Sequence, residues 1–164
     1  MPVSQSRSPR LSAGLLVYRR GPDGTLEVFL AHPGGPFWAN KDLGHWTVPK
    51  GEPDPDEPLL DAARREFTEE TGLTPPPGPY LELGQIVQKG GKHVHAWAVE
   101  GDADPNRVQS STTRIEWPPR SRRFIEIPEV DRCAWFDLAE ARRRIKQTQI
   151  PLLDRLEQAL GPLP

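Results

Sequence analysis

GEPDPDEPLLDAARREFTEETGL, residues 51–73, holds five glutamates and three aspartates in 23 residues. Three of them, Glu66, Glu69 and Glu70, fall within five positions. Like charges that close repel each other, so something must offset the repulsion. Pro58, preceded by Asp56 and Glu57, marks a helix start, and Gly72 supplies the stop. A helix over about 58–71 follows. Counting about 100° per residue from Leu59, Ala63, Phe67 and Leu60 form one apolar stripe. Arg64, Thr68 and Asp61 face water. On the same count Glu70 falls near 20°, inside the stripe, and Glu66 and Glu69 fall near 340° and 280°, along its edge.

A solvated helix face would place these acids on the far side, so that reading fits poorly. An unpaired buried carboxylate costs several kcal/mol or takes up a proton. Arg65 can pair with Glu69, but one guanidinium cannot neutralise three carboxylates. A hard divalent cation can. Oxygen ligands suit Mg²⁺ or Mn²⁺, and the i, i+3, i+4 spacing brings the three acids to one side of the helix.

Working outward, residues 1–10 are polar and read as a flexible tail, with one domain over 11–164. LSAGLLVYRR (11–20) and LEVFLAH (26–32) are strands around the turn GPDG. PGGPFWANKDLGH (33–45) is a long loop of the kind that carries function. HWTVPKG (45–51) holds a short strand. LELGQIVQ (81–88) and KHVHAWAVE (92–100) form a second hairpin. Residues 101–113 read as polar linker and 115–130 as irregular with short extended pieces. CAWF (133–136) is a strand. DLAEARRRI (137–145) is a helix capped by Asp137, and IPLLDRLEQAL (150–160) is a last helix. Hairpins with a middle helix and late helices give an α/β fold, a mixed sheet covered by helices.

The totals narrow the function. A chain of 164 residues suits one domain. A net charge of −2 with interspersed signs disfavours a nucleic-acid partner. The lone Cys133 forms no internal disulfide. No apolar run approaches the roughly 20 residues of a membrane span, and the N-terminus lacks a signal peptide's apolar stretch, so a cytoplasmic setting without membrane contact is expected. Whether the chain is a monomer or a homodimer is left open.

The stretch also resembles the Nudix hydrolase signature, G-x5-E-x7-R-E-U-x-E-E-x-G-U, with U a bulky apolar residue. Gly51, Glu57, Arg65-Glu66-Phe67, Glu69-Glu70 and Gly72-Leu73 match every position. The resemblance implies an α/β/α sandwich with a mixed sheet. It implies hydrolysis of a phosphoanhydride in a nucleoside diphosphate linked to another group, with Mg²⁺ or Mn²⁺ as cofactor. By position, Glu66, Glu69 and Glu70 are the metal ligands, joined by the backbone at Gly51 and the Lys50 carbonyl. Arg65 and Glu57 are supports, Arg65 orienting a ligand and Glu57 fixing the loop. Glu69 is the in-box choice for general base. Glu116, Glu126 and Glu129 are the later acids that compete for that role or for an extra ligand position. The rival within this fold is a non-catalytic nucleotide sensor, which predicts lost carboxylates; none is lost.

The substrate is expected to be a nucleoside triphosphate or a dinucleoside polyphosphate, with ADP-ribose, a nucleotide sugar or capped RNA as alternatives. WTVPKG, ending in Lys50 and Gly51, is similar to the diadenosine tetraphosphate hydrolase branch, where a lysine beside the metals meets phosphate. Arg122, with Arg120 and Arg123, is a further candidate for phosphate. Trp38 is a candidate stacking face for a base, as is His95 with its alternating neighbours His93 and Trp97. The tyrosine or proline that marks two other branches of the family is absent from residues 88–91, Gln-Lys-Gly-Gly.

Overall fold

The computed structural model describes residues 10–161. Strands β1 (Leu11–Arg20) and β2 (Leu26–Pro33) are followed by a two-residue β3 (Lys50–Gly51) and helix α1 (Leu59–Thr71). Next come β4 (Tyr80–Val87), β5 (His93–Glu100), β6 (Thr112–Glu116), β7 (Phe124–Pro128) and β8 (Val130–Asp137), then α2 (Leu138–Arg144) and α3 (Ile150–Leu160). The expected tail over residues 1–10 lies outside the described residues except for Arg10.

The main sheet runs β4-β5-β1-β2-β8, with β3 also on β1. β1 and β5 are parallel, and the other pairs are antiparallel. A strand buried on both faces reads as a continuous apolar run, and Ala13 to Tyr18 of β1 are all buried. Alternate side chains go to opposite faces. Ala13, Leu15 and Val17 pack with Ala62, Ala63 and Phe67 of α1. Leu16 and Tyr18 pack with Ala141 of α2 and Leu152, Leu153 and Leu156 of α3. Two helical layers therefore enclose one mixed sheet, as expected for an α/β/α sandwich.

One detail of this sheet positions the site. β2 pairs with β1 only at Tyr18–Arg20, and the first half of β1 pairs instead with β3, Gly14 opposite Lys50 and Ala13 opposite Gly51. Thr47 exchanges both backbone hydrogen bonds with Ala31 of β2 at 2.8 and 2.9 Å, while Leu15 N–H donates to Pro49 O at 3.1 Å. Residues 47–51 are thus wedged between β1 and β2. Gln149, fully buried, pins the wedge from the opposite helical layer. Its Oε1 accepts from Val48 N at 3.0 Å and its Nε2 donates to Thr47 Oγ1 at 2.9 Å.

The elements differ from expectation in two places. Pro58 stands at the N-cap, one residue before α1, and Gly72 ends the helix in the left-handed region at φ 73°. Residues 112–128, read as the end of a polar linker followed by an irregular stretch with short extended pieces, form the antiparallel β6–β7 hairpin, with Ile115 opposite Ile125. Most of that hairpin is exposed, so its side chains lack the apolar alternation that reveals a half-buried strand. The Asp137 cap is as expected, its carboxylate accepting from Glu140 N at 2.8 Å. No helix among the described residues is long and apolar enough to cross a membrane.

Candidate active site

Helix α1 lies over β3 and presses its acidic edge against the wedge. A Cβ built on Gly51 would overlap the Glu66 carboxyl group, so only glycine leaves that carboxylate its place against the backbone. Glu70 accepts the Lys50 backbone N–H at 3.1 Å. Burial pushes its pKa up to about 8. The Lys50 N–H and ammonium oppose that rise, and the charges of Glu129 and Glu66 add to it. Glu66 is also raised, first by burial and then by Glu69 and Glu129, against the pull of Arg65.

Arg65 ties the rest together. It holds Glu57 in a fork, Nε to Oε2 at 3.0 Å and one terminal nitrogen to Oε1 at 2.9 Å. The other terminal nitrogen donates to Glu66 at 2.9 Å and to both Glu69 oxygens at 3.1 Å. Glu57 also accepts Asp54 N–H at 2.9 Å, closing the loop before α1. The Arg65 hydrogen bonds draw the Glu57 pKa down to about 2.

Among the described residues, no three His, Cys, Asp or Glu side chains converge on one metal-sized point. Glu69 turns to Arg65, while Glu66 and Glu70 flank the Lys50–Gly51 backbone. The donor chemistry still fits a hard divalent cation. Two carboxylates are taken out of water beside each other, and the guanidinium in reach is shared among three acids. Carboxylate oxygens with a nearby backbone are the ligand type such ions take.

Of the later acids, Glu129 is the one whose charge reaches both Glu66 and Glu70. Its backbone is fixed on two sides, N–H to Ser111 O and C=O from Gly34 N, each at 3.0 Å. Ser111 N–H in turn donates to the Glu69 carbonyl at 2.7 Å. Glu116 and Glu126 are not brought to the box. Glu116 caps the β6–β7 turn by accepting Arg120 N–H at 2.7 Å, and Glu126 is exposed opposite Arg114.

Beside the box opens a cleft of about 870 Å³ lined by Trp38, His45, Lys50, Lys89, Lys92, Arg143 and Lys146 among others. Trp38 and His45 pack with ring centroids 5.5 Å apart and planes tilted by 52°. The lining carries six cationic side chains and no carboxylate. Arg142 and Arg143 are neutralised by Asp154, Glu157 and Glu140. None of the four lysines has a carboxylate within ion-pair distance among the described residues. Lys146 is held down in pKa by burial, then by Lys50 and Lys92, with Glu70 opposing. It lines the cleft within electrostatic reach of Glu70 of the box. A second hollow of about 770 Å³, beside Leu26, Leu138 and Leu160, touches no box residue.

Lys50 and Trp38 meet in the cleft; two other expected contacts do not. His95 packs on Trp97 with ring centroids 4.7 Å apart and planes tilted by 39°, its Nε2 3.3 Å from the Glu82 carboxylate but outside hydrogen-bond geometry. Trp97 belongs to the α1 side of the sheet, whereas the cleft lining comes from the loop before β3, the β4–β5 turn and the α2–α3 segment. Arg122 sits exposed at the tip of the β6–β7 hairpin, away from the cleft lining. The sequence reading missed Lys92, Lys146 and His45. His45 had a local signal, standing one residue before Trp46 in the WTVPKG stretch.

The NUDIX domain model matches residues 8–156. The chain belongs to the NUDIX family. Among curated proteins, this NUDIX domain is 34% identical over 99 residues to the asymmetrical bis(5'-nucleosyl)-tetraphosphatase of Mus musculus. That alignment covers 54% of this chain and 63% of the mouse protein, so the chain spans less than two thirds of the relative's length. Among solved structures, a C. elegans Ap4A hydrolase binary complex superposes with TM-score 0.62 at 25% identity, covering 91% of this chain and 97% of the other. The NUDIX domain of Shewanella oneidensis NrtR complexed with ADP ribose superposes with TM-score 0.66 at 18% identity, covering 94% and 90%, a likeness of fold.

Proposed function

We propose that this NUDIX domain is a divalent-metal-dependent pyrophosphohydrolase whose substrate is a dinucleoside polyphosphate. The observation that carries the reading is the juxtaposition of two opposite charge excesses. Partly desolvated glutamates crowd the box, and lysines without carboxylate partners crowd the adjoining cleft. A chain of phosphates bridged to a divalent ion satisfies both at once. The likeness to tetraphosphatases favours this class over a nucleoside triphosphate.

In the reaction, water oxygen bonds to one phosphorus and the bridging P–O bond breaks, so two phosphate-bearing products leave. Mg²⁺ or Mn²⁺, held by Glu66 and Glu70 with Glu69 and the Lys50–Gly51 backbone as further donors, would neutralise phosphate oxygens and lower the pKa of bound water. Arg65 orients Glu66 and Glu69, and Glu57 fixes Arg65. Lys50, Lys92 and Lys146 neutralise the remaining phosphates, while Trp38 and His45 offer a stacking face to one base. A carboxylate takes the water's proton. Both Glu69 oxygens are held by Arg65, whereas Glu129 is exposed and makes no ion pair among the described residues. Glu129 is therefore the better placed acceptor, with Glu69 the in-box rival.

The test is hydrolysis of diadenosine tetraphosphate, a nucleoside triphosphate and ADP-ribose with Mg²⁺ and with chelator, products resolved in oxygen-18 water. Metal-dependent cleavage favouring the tetraphosphate is expected. Tight binding of a nucleotide without cleavage of any would replace this reading with a sensor.

A further inference from the structure

His32, at the end of β2, is fully buried, and both its ring nitrogens face acceptors. Nδ1 lies 2.8 Å from the Asp131 carboxylate of β8, and Nε2 lies 2.5 Å from the Lys41 backbone carbonyl. A carbonyl oxygen cannot donate, and an ionised carboxylate only accepts. A neutral imidazole has a single N–H and satisfies one of the two. With Asp131 ionised, only the doubly protonated ring serves both acceptors at once.

Charged and aromatic groups pack around this pair. The Trp46 ring meets His32 edge-on at 5.2 Å. Arg132 of β8 lies over Trp46 and 3.9 Å from Asp131. From the loop, Asp42 takes the Trp46 indole N–H at 2.7 Å and both of its oxygens take Arg144 of α2, while the Lys41 ammonium turns outward over Phe37 and Trp38.

What the ring joins gives it a consequence. Lys41 sits in the loop that carries Trp38 and His45, and its N–H donates to the Trp38 carbonyl at 2.9 Å. Asp131 follows Glu129 by two residues, and the Glu129 carbonyl anchors the loop's start at Gly34. His32 is thus the side chain that spans from the strand after Glu129 to the loop turn after Trp38. We propose that His32 is a positioning residue, an imidazolium latch holding the residue 34–45 loop so that Trp38 and His45 form the cleft wall. The proposal rests on the reading of the cleft as the substrate site.

Its test begins with ring protonation, read from imidazole nitrogen shifts of the wild-type protein near neutral pH. Both nitrogens of His32 should carry protons, and one bare nitrogen would overturn the latch. Gln at position 32 reaches one acceptor and strands the other. His32→Gln should raise KM for diadenosine tetraphosphate about tenfold, leave kcat within about threefold, and speed trypsin cleavage after Lys41. Trp38→Ala added to His32→Gln should cost under about twofold more, because the ring's wall is already displaced. Unchanged KM, or full additivity of the two substitutions, would refute it. Should His32→Gln fail to fold, Asp131→Asn keeps the shape and removes the counter-charge. It should return His32 to a single ring proton; a ring that stays doubly protonated there refutes the pairing. If the wild type cleaves no nucleotide, the hydrolase reading falls while ring protonation and cleavage at Lys41 still decide the latch.

Discussion

Glu66 occupies the space that a side chain on Gly51 would need, so the first and the middle positions of the acidic stretch fit together as backbone and carboxylate. A methyl group there collides with the movable end of a side chain rather than with backbone. Gly51→Ala should therefore fold and displace Glu66. Turnover should fall by about 100-fold, the scale of a lost metal contact, with weaker Mn²⁺ uptake in calorimetry. Retained turnover with retained metal affinity would mean Glu66 has no part in the chemistry.

Metal-free stability should depend on pH through Glu70. Its pKa stands near 8 in the fold against an ordinary 4.5. Between those values the folded chain keeps a proton that the unfolded chain has released. Stability therefore falls as pH rises through that window, by up to about 1.4 kcal/mol per pH unit. Above about 8 this contribution levels off. Urea titrations with chelator at several pH values should show the decline. Glu70→Gln keeps an acceptor for Lys50 N–H and should flatten the curve. Added Mg²⁺ should reverse it and release protons on binding.

Glu129→Gln separates proton transfer from metal binding. Turnover near neutral pH should fall at least about 100-fold, the range of general-base effects, while Mn²⁺ affinity stays within about threefold. The acid limb of the pH–rate profile should vanish with it. An intact limb in Glu129→Gln that disappears in Glu69→Gln would hand the role to Glu69.

Lys146→Met should show the cleft's purpose by acting oppositely on binding and stability. KM for diadenosine tetraphosphate should rise about tenfold, with kcat little changed, as loss of uniform binding requires. Stability without substrate should hold or improve, since a half-buried ammonium beside Lys50 and Lys92 is removed. A stability loss with unchanged KM would recast Lys146 as a packing residue.

The helix, its acidic edge and both late helices were legible because each writes a period into consecutive residues. The Asp137 cap and the Gly72 stop are local in the same sense. The cleft was not, since Lys50, Lys92 and Lys146 come from three separate segments that only the topology joins. His95 shows a different limit. Alternation along β5 correctly separated His93, His95 and Trp97 from Val94, Ala96 and Ala98, but a period of two says which residues share a face and not which face meets the substrate. The β6–β7 pairing was legible only as short extended pieces because exposed strands need no apolar alternation; Arg122 and Glu126 are exposed on that hairpin, while Glu116 caps its turn.

The wedge of residues 47–51 is stitched to Leu15 and Ala31, in strands buried on both faces. Their amide hydrogens are the kind that exchange only when the whole domain opens. The floor beneath the acidic residues consequently has no private hinge: it cannot loosen while the rest stays folded. Heat or denaturant should abolish turnover and global structure in a single step, and adaptation to a different ligand is left to the rim, where Trp38, Lys92 and Lys146 stand.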